Sequence, residues 1–161
     1  MSGKEHARIS HLEALRAPES LPAPVLRRAQ PEDRAALVAF YDSFEPKGAC
    51  LGLPPRDDPN PWLSRLAPYS NFLIEIEGQL VAHGALCAED SSGEVAVFVH
   101  QDFRGCGLGK LLLTELVAEA HRLGLKRVLG MTELENVPML RLARSLGFLP
   151  GIDPQEFYLL L

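Results

Sequence analysis

Between an apolar run ending at Val99 and a leucine-rich stretch from Leu111 onward stands Arg104-Gly105-Cys106-Gly107-Leu108-Gly109-Lys110, with three glycines in five residues. Glycine tolerates left-handed backbone at little cost, so a cluster of this kind lets a strand turn sharply into a helix. Such a turn aims several backbone N–H groups at one spot, and the positive end of the helix dipole favours an anion there. A phosphate or pyrophosphate suits the loop, although a glycine turn without any ligand accounts for the bare residues as well. Two familiar phosphate loops fail on spacing. A P-loop needs glycine at position 104 and Ser or Thr at 111, which are Arg104 and Leu111, and a Rossmann turn reads G-x-G-x-x-G, whereas this loop reads G-x-G-x-G.

The elements around the loop can be read from periodicity and from turn residues. Val25 to Gln30 reads as a strand, and Pro31, Glu32 and Asp33 open a helix to about Phe44. Glu45 to Ser70 holds six of the thirteen prolines. Only a short helix around Trp62 to Ala67 is expected there, in what is otherwise a shaped, ligand-facing segment. Asn71–Glu77 and Leu80–Ala88 flank a hairpin turn at Gly78-Gln79, and Glu94–Val99 follows Ser91-Ser92-Gly93, which together predict an antiparallel meander. Leu112, Leu113, Leu116, Val117, Ala120 and Leu123 recur at helical spacing up to a stop at Gly124. Lys126–Thr132 is a strand, and Asn136 caps a helix that ends at Gly147. Phe148–Pro150 and Glu156–Leu161 close the chain as strands. The order predicts a single α/β domain over residues 25–161, preceded by a tail or docking segment over residues 1–24 with Ile9, Leu12 and Leu15 on one side.

The balance of charge narrows the partners. Sixteen Lys and Arg against 21 Asp and Glu give a net charge of −5, which lacks the surplus that neutralising a nucleic-acid backbone requires. Any anion must be held locally. Cys50, Cys87 and Cys106 have no metal-ligand or disulfide-framework spacing, no apolar run reaches membrane-spanning length, and no secretory leader is evident. The expectation is a cytoplasmic protein without metal, nucleic-acid or membrane partners.

Arg104-Gly105-Cys106-Gly107-Leu108-Gly109 resembles the R/Q-x-x-G-x-G/A signature of the GNAT acetyltransferase superfamily. Asn136-Val137-Pro138-Met139 with Leu146-Gly147-Phe148 is similar to that family's second block, at the family's separation. The resemblance implies a mixed, mostly antiparallel twisted sheet flanked by helices, opened by a cleft where Glu94–Val99 and Lys126–Thr132 splay apart. It implies acetyl-CoA as co-substrate in that cleft. Backbone groups of Val97, Phe98 and Val99 would pair with the pantetheine amides. The pyrophosphate would lie on Gly105, Cys106, Gly107, Leu108, Gly109 and Lys110, with Arg104 shaping the loop and Asn136 near the thioester. Arg122, Lys126 and Arg127 are expected to add positive charge beside the phosphates.

The implied activity is direct transfer of acetyl to a primary amine in a ternary complex. The strand Gly93-Glu94-Val95-Ala96-Val97-Phe98-Val99 is similar to that of bacterial protein-lysine acetyltransferases, which makes a protein lysine the expected acceptor and Glu94 the expected base, on the face of Ala96 and Phe98 in a drier setting. A small-molecule amine as acceptor, or a non-catalytic acyl-CoA-binding module, remains open, as do a solvated-charge role for Glu94 and a homodimeric assembly. Ala143 and Met131 stand where N-terminal-alanine acetyltransferases carry a tyrosine acid and a glutamate, which separates this chain from that branch. His83 and His100 read as structural, and Tyr69, Phe157 and Tyr158 as core or cleft lining.

Overall fold

The computed structural model describes residues 21–161, so the expected helix face of Ile9, Leu12 and Leu15 lies outside the described residues. The elements are β1 (Val25–Arg28), α1 (Arg34–Asp42, entered through a 3₁₀ turn at Pro31–Asp33), α2 (Asn60–Leu66), β2 (Ser70–Ile76), β3 (Gln79–Glu89), β4 (Ser92–Val99), α3 (Leu108–Arg122), β5 (Arg127–Met131), α4 (Val137–Ser145), β6 (Leu149–Pro150) and β7 (Glu156–Leu160). They build one seven-stranded sheet in the order β1-β2-β3-β4-β5-β7-β6. Every neighbouring pair is antiparallel except β4 and β5, which are parallel.

The two faces of the sheet carry separate cores. On one face α3 lays Leu108, Leu112, Leu116 and Ala120, spaced four residues apart, against Val81, Val95 and Val128. On the other, α1 and α2 bring Phe40, Tyr41, Phe44, Trp62 and Leu63 onto Leu73 and Phe98. Alternation along β4 assigns Val95, Val97 and Val99 to the first face and Ala96 and Phe98 to the second.

Three sequence expectations shift. The β2–β3 turn centres on Glu77-Gly78 rather than Gly78-Gln79, because both residues adopt positive φ, +51° and +78°. Gly93 belongs to β4 and not to the preceding turn; it is buried, and a Cβ there would meet Leu86 at 2.5 Å and Leu125 at 2.8 Å. The helix expected from Pro31 to about Phe44 is a 3₁₀ turn followed by α-helix that stops at Asp42. Among the described residues no helix is long and apolar enough to cross a membrane.

Two buried polar groups tie the layers together. In α3, Glu119 accepts both guanidinium nitrogens of Arg28 in β1 at 2.9 Å each, the hydroxyl of Ser70 at 2.8 Å, and Arg122 Nε at 2.8 Å. The Arg28 hydrogen bonds, helped by those of Ser70 and Arg122, outweigh burial and push its pKa down to about 2. Under α1, Nδ1 of the fully buried His83 meets the Tyr41 hydroxyl and its Nε2 lies 2.9 Å from Asn71 Oδ1. Asn71 donates its amide to the carbonyls of Leu66 and Tyr69, so Oδ1 is its accepting atom, and the imidazole donates from Nε2 while accepting from Tyr41. Burial holds this ring neutral, its pKa pushed down to about 4.

Stability should therefore fall on acidification in two windows. Between pH 6.5 and about 4 the unfolded chain protonates the histidine that the fold keeps neutral, so His83 costs stability there. The contribution of Glu119 is full above its ordinary 4.5 and is lost as pH falls through about 2. In urea melts Glu119→Gln should lower stability at pH 7 by on the order of 2–3 kcal/mol, less than a fully buried pair because Arg28 is half-exposed. The variant should lose only the acid limb below pH 4.5.

Candidate active site

β4 is paired with β3 along its whole length, from Ser92↔Glu89 to Val99↔Ala82. Its pairing with β5 covers only Ser92↔Arg127, Gly93↔Val128 and Glu94↔Leu129. Beyond Glu94 the two strands part, and a cleft of about 1050 Å³ opens between them. The direction of the free backbone groups follows from two hydrogen bonds: His100 N–H donates to Val81 of β3 at 2.9 Å, while the Val99 carbonyl accepts Arg104 Nε at 3.0 Å on the opposite side. Alternation then turns the backbone groups of Val95, Val97 and Val99 toward the cleft and those of Phe98 toward β3. Of the three residues expected to pair with an extended ligand, Val97 and Val99 offer backbone groups, Phe98 offers only its ring, and Val95 is an addition that the sequence reading missed.

The glycine loop forms the mouth of this cleft. Gly105 and Gly107 adopt φ of +75° and +83°, and nothing lies within 4 Å of where a Cβ would stand on either. Gly107 is the N-cap of α3, whose first i→i−4 bond is Leu111 N to Gly107 O at 3.1 Å. The N–H groups of Leu108, Gly109 and Lys110 precede that bond and have no intrahelical acceptor, which leaves a cradle of donors facing open space. The mouth is therefore suited to a pyrophosphate. Gly105, Gly107, Leu108, Gly109 and Lys110 line the cleft, whereas the exposed Cys106 does not, and its thiol turns back to the Arg104 carbonyl at 3.6 Å.

Arg104 is a clamp. Besides Val99 it donates to the Glu45 carbonyl at 2.7 Å and lies over the Phe44 ring, 5.1 Å from its centroid, so it joins the end of β4 to the start of the proline-rich segment. Partial burial lowers its pKa. The expected cluster of further cations is not at this mouth. α3 is about 22 Å long, and it carries Arg122 to the far end of the sheet, where that side chain pairs with Glu115 and Glu119. Arg127 pairs with Glu156, and Lys126 lies beside Ser91 at the same far end.

Acidic side chains also line the cleft: Glu94 sits where the β4–β5 pairing stops, and Glu133 and Glu135 follow the end of β5. Contrary to the drier setting expected for it, Glu94 is exposed, and among the described residues its carboxylate takes no hydrogen bond or ion pair. Residues 46–54 cross the β5 side of the cleft as a strap. The Cys50 thiol lies 3.7 Å from the buried Thr132 hydroxyl, and Leu51 N–H donates to Glu133 at 3.3 Å. Burial raises the pKa of the Cys50 thiol. Asn136 lines the cleft, but both ends of its amide are engaged: Oδ1 accepts Met139 N–H at 3.3 Å as the cap of α4, and Nδ2 donates to Thr132 at 2.9 Å. Its side chain thus sets the end of β5.

Ser43, His100 and Asp102 look like a hydrolytic triad by type. Asp102 N–H donates to His100 Nδ1, however, so Nε2 carries the proton toward Ser43, the reverse of what a nucleophilic serine needs.

The fold superposes on that of a GNAT-family acetyltransferase from Streptococcus pneumoniae with a TM-score of 0.72 at 21% identity, over 86% of this chain and 100% of that one. The chain belongs to the acetyltransferase (GNAT) family, which it matches over residues 31–148. It is 30% identical over 88 residues to an acetyltransferase from Pseudomonas aeruginosa, a stretch covering 52% of this chain and 47% of that one. It is 42% identical over 55 residues to the L-methionine sulfoximine/L-methionine sulfone acetyltransferase of Salmonella typhimurium, 34% of this chain and 32% of that one. The matched stretches thus span less than half the length of these curated relatives. Among solved structures, a Salmonella typhimurium protein with its cofactor acetyl-CoA superposes with a TM-score of 0.70 at 26% identity, over 86% of this chain and 94% of that one.

Acetyl-CoA titrated by calorimetry should bind Gly107→Val at least about tenfold more weakly than wild type, since a β-branched residue resists left-handed backbone. Gly107→Asn, which tolerates that backbone, should retain most of the affinity.

Proposed function

We propose that this protein transfers an acetyl group from acetyl-CoA to a primary amine, that the acceptor is a small molecule, and that Glu94 is the general base. The observation that carries the reading is the polarity of one cleft: a cradle of backbone N–H groups at its mouth, free strand edge along its wall, and the Glu94 carboxylate where the strands meet. When bound, acetyl-CoA supplies an acetyl carbon on a weak C–S bond, which is exchanged for a C–N bond with release of the thiol.

The residues of the chain would bind and orient the reactants and take a proton. Gly105 to Lys110 would hold the diphosphate, and the backbone of Val95 and Val97 would align the amide-bearing arm. Val99 would contribute less, because Arg104 already occupies its carbonyl. An amine attacks only when neutral, and deprotonating a lysine-like ammonium at pH 7 costs about 4.6 kcal/mol. The unengaged, solvent-reaching carboxylate of Glu94 is placed to accept that proton and to return it to water. At the position of a tyrosine acid the buried Ala143 offers no proton, so departure of the thiol would rely on its own acidity.

The strap of residues 46–54, fixed to Thr132 and Glu133, covers part of the cleft and leaves no broad surface beside it, which favours a small amine over a protein surface. A relative named for L-methionine sulfoximine and L-methionine sulfone supports the same direction. Protein lysine is the second reading, carried by the exposure of Glu94 and by the Gly93-Glu94-Val95-Ala96 strand.

Mass spectrometry of acetyl transfer across amino acids, polyamines and lysine peptides tests the reading, and acetyl-CoA binding without turnover of any acceptor would overturn it. Glu94→Gln should bind acetyl-CoA normally and lose roughly 10²–10⁴ in kcat. A loss below about threefold would assign the proton to another group.

A further inference from the structure

Beside the cleft lies a second hollow of about 640 Å³, on the α1/α2 side of the sheet. Its walls come from the last turns of α2, the β3–β4 hairpin and the first residues of β4, none of which belongs to the cofactor motifs. A volume of this size is typical of sites for small ligands. Glu94 lines both the hollow and the cleft. Leu129, its partner across the β4–β5 pairing, faces the hollow, while Met131, two residues further along β5, faces the cleft. The two spaces therefore meet at the carboxylate that stands where the strands part. A molecule seated in the hollow reaches Glu94 without entering the volume between the splayed strands.

The hollow carries both signs of charge, unspent. Arg65, in the last turn of α2, is exposed, and among the described residues no carboxylate lies within ion-pair distance of it. Glu89 and Asp90 on the hairpin, like Glu94, make no side-chain ion pair there either. By contrast, Arg27, Arg28 and Arg127 of the sheet and Arg122 of α3 are all engaged by carboxylates. A guanidinium and carboxylates that share one hollow without neutralising each other complement a ligand that brings both charges. Trp62, Leu66 and Leu129 give the same hollow an apolar wall.

We infer that this hollow is the acceptor site and that its ligand is a free α-amino acid with an apolar side chain. The ammonium lies toward Glu94 and the acidic hairpin, the carboxylate is read by the planar fork of Arg65, and the side chain rests on the wall of Trp62 and Leu66. The inference rests on the transferase reading above and names its substrate class. It also explains the exposure of Glu94, since its proton can leave through the hollow rather than through the cofactor cleft. The ammonium first gives one proton to Glu94, which passes it to water through the hollow; the neutral nitrogen then forms the C–N bond as the acetyl C–S bond breaks, and the second proton shed by the nitrogen neutralises the departing thiolate.

Trp62 is the only tryptophan of the chain, so its fluorescence reports occupancy of the hollow independently of turnover. The probes are L-leucine, leucinamide and isoamylamine, which share a side chain and an amine but differ in the carboxylate. L-leucine should change the Trp62 emission saturably and be acetylated with a kcat/KM at least tenfold above that of either neutral analogue. Arg65→Gln should raise the KM for leucine more than tenfold and the KM for isoamylamine less than twofold, with kcat for leucine nearly kept, and Arg65→Lys should recover part of the loss. Equal use of the three probes, an equal effect of Arg65→Gln on all of them, or acetylation of leucine without any change in Trp62 emission would overturn the inference. Saturable, Arg65-dependent binding of leucine with no acetylation would instead leave the hollow as an amino-acid site and overturn the transferase reading.

Discussion

The three-residue limit on the β4–β5 pairing governs everything the site can do. β4 is committed to β3 along its whole length and β5 to β7 from Arg127 to Met131, so neither strand is free to bend and close the gap. Parallel pairing therefore stops at Glu94, and the middle of the sheet presents an unpaired edge, an arrangement that proteins otherwise cover or avoid. The backbone groups of Val95 and Val97 demand partners there, and at Val99 the chain supplies one from Arg104. A ligand with amide groups would complete the sheet.

The second constraint is that the cleft is built from elements far apart in the chain. Arg104 connects the end of β4, the glycine loop and the carbonyl of Glu45, so one guanidinium spaces the floor of the cleft from its strap. At the other end, Asn136 caps α4 with one side of its amide and holds Thr132 with the other, and Thr132 meets Cys50 of the strap. Both motif residues thus act on the shape of the cleft more than on its surface. Substitutions at either would act by displacing neighbours.

Legibility followed locality. The glycine turn before α3, the Asn136 cap and the meander follow from backbone chemistry within a few residues, and the sequence reading placed them closely. What required the folded chain were contacts between distant segments. Arg122, Lys126 and Arg127 lie near the loop in sequence, yet the rise of α3 takes them to the opposite end, where acids claim Arg122 and Arg127. For Glu94 the sequence left a drier face and a solvated charge both open, because alternation assigns a face but not what covers it. The hollow that includes Arg65 draws on α2 and the β3–β4 hairpin together, and neither segment marks it alone.

The buried trio of Tyr41, His83 and Asn71 has a consequence for how β2 and β3 find each other. Apolar patterning rejects a slip of one residue, since that would turn every buried side chain outward, but a slip of two keeps each side chain on its own face. In such a shifted alignment the imidazole would sit roughly 7 Å out of step with its amide partner, inside the apolar layer and with its proton unaccepted. The trio works as a vernier on the hairpin. It gives α1 a single seat and, through the pairing of β3 with β4, fixes where along the sheet Glu94 comes to stand.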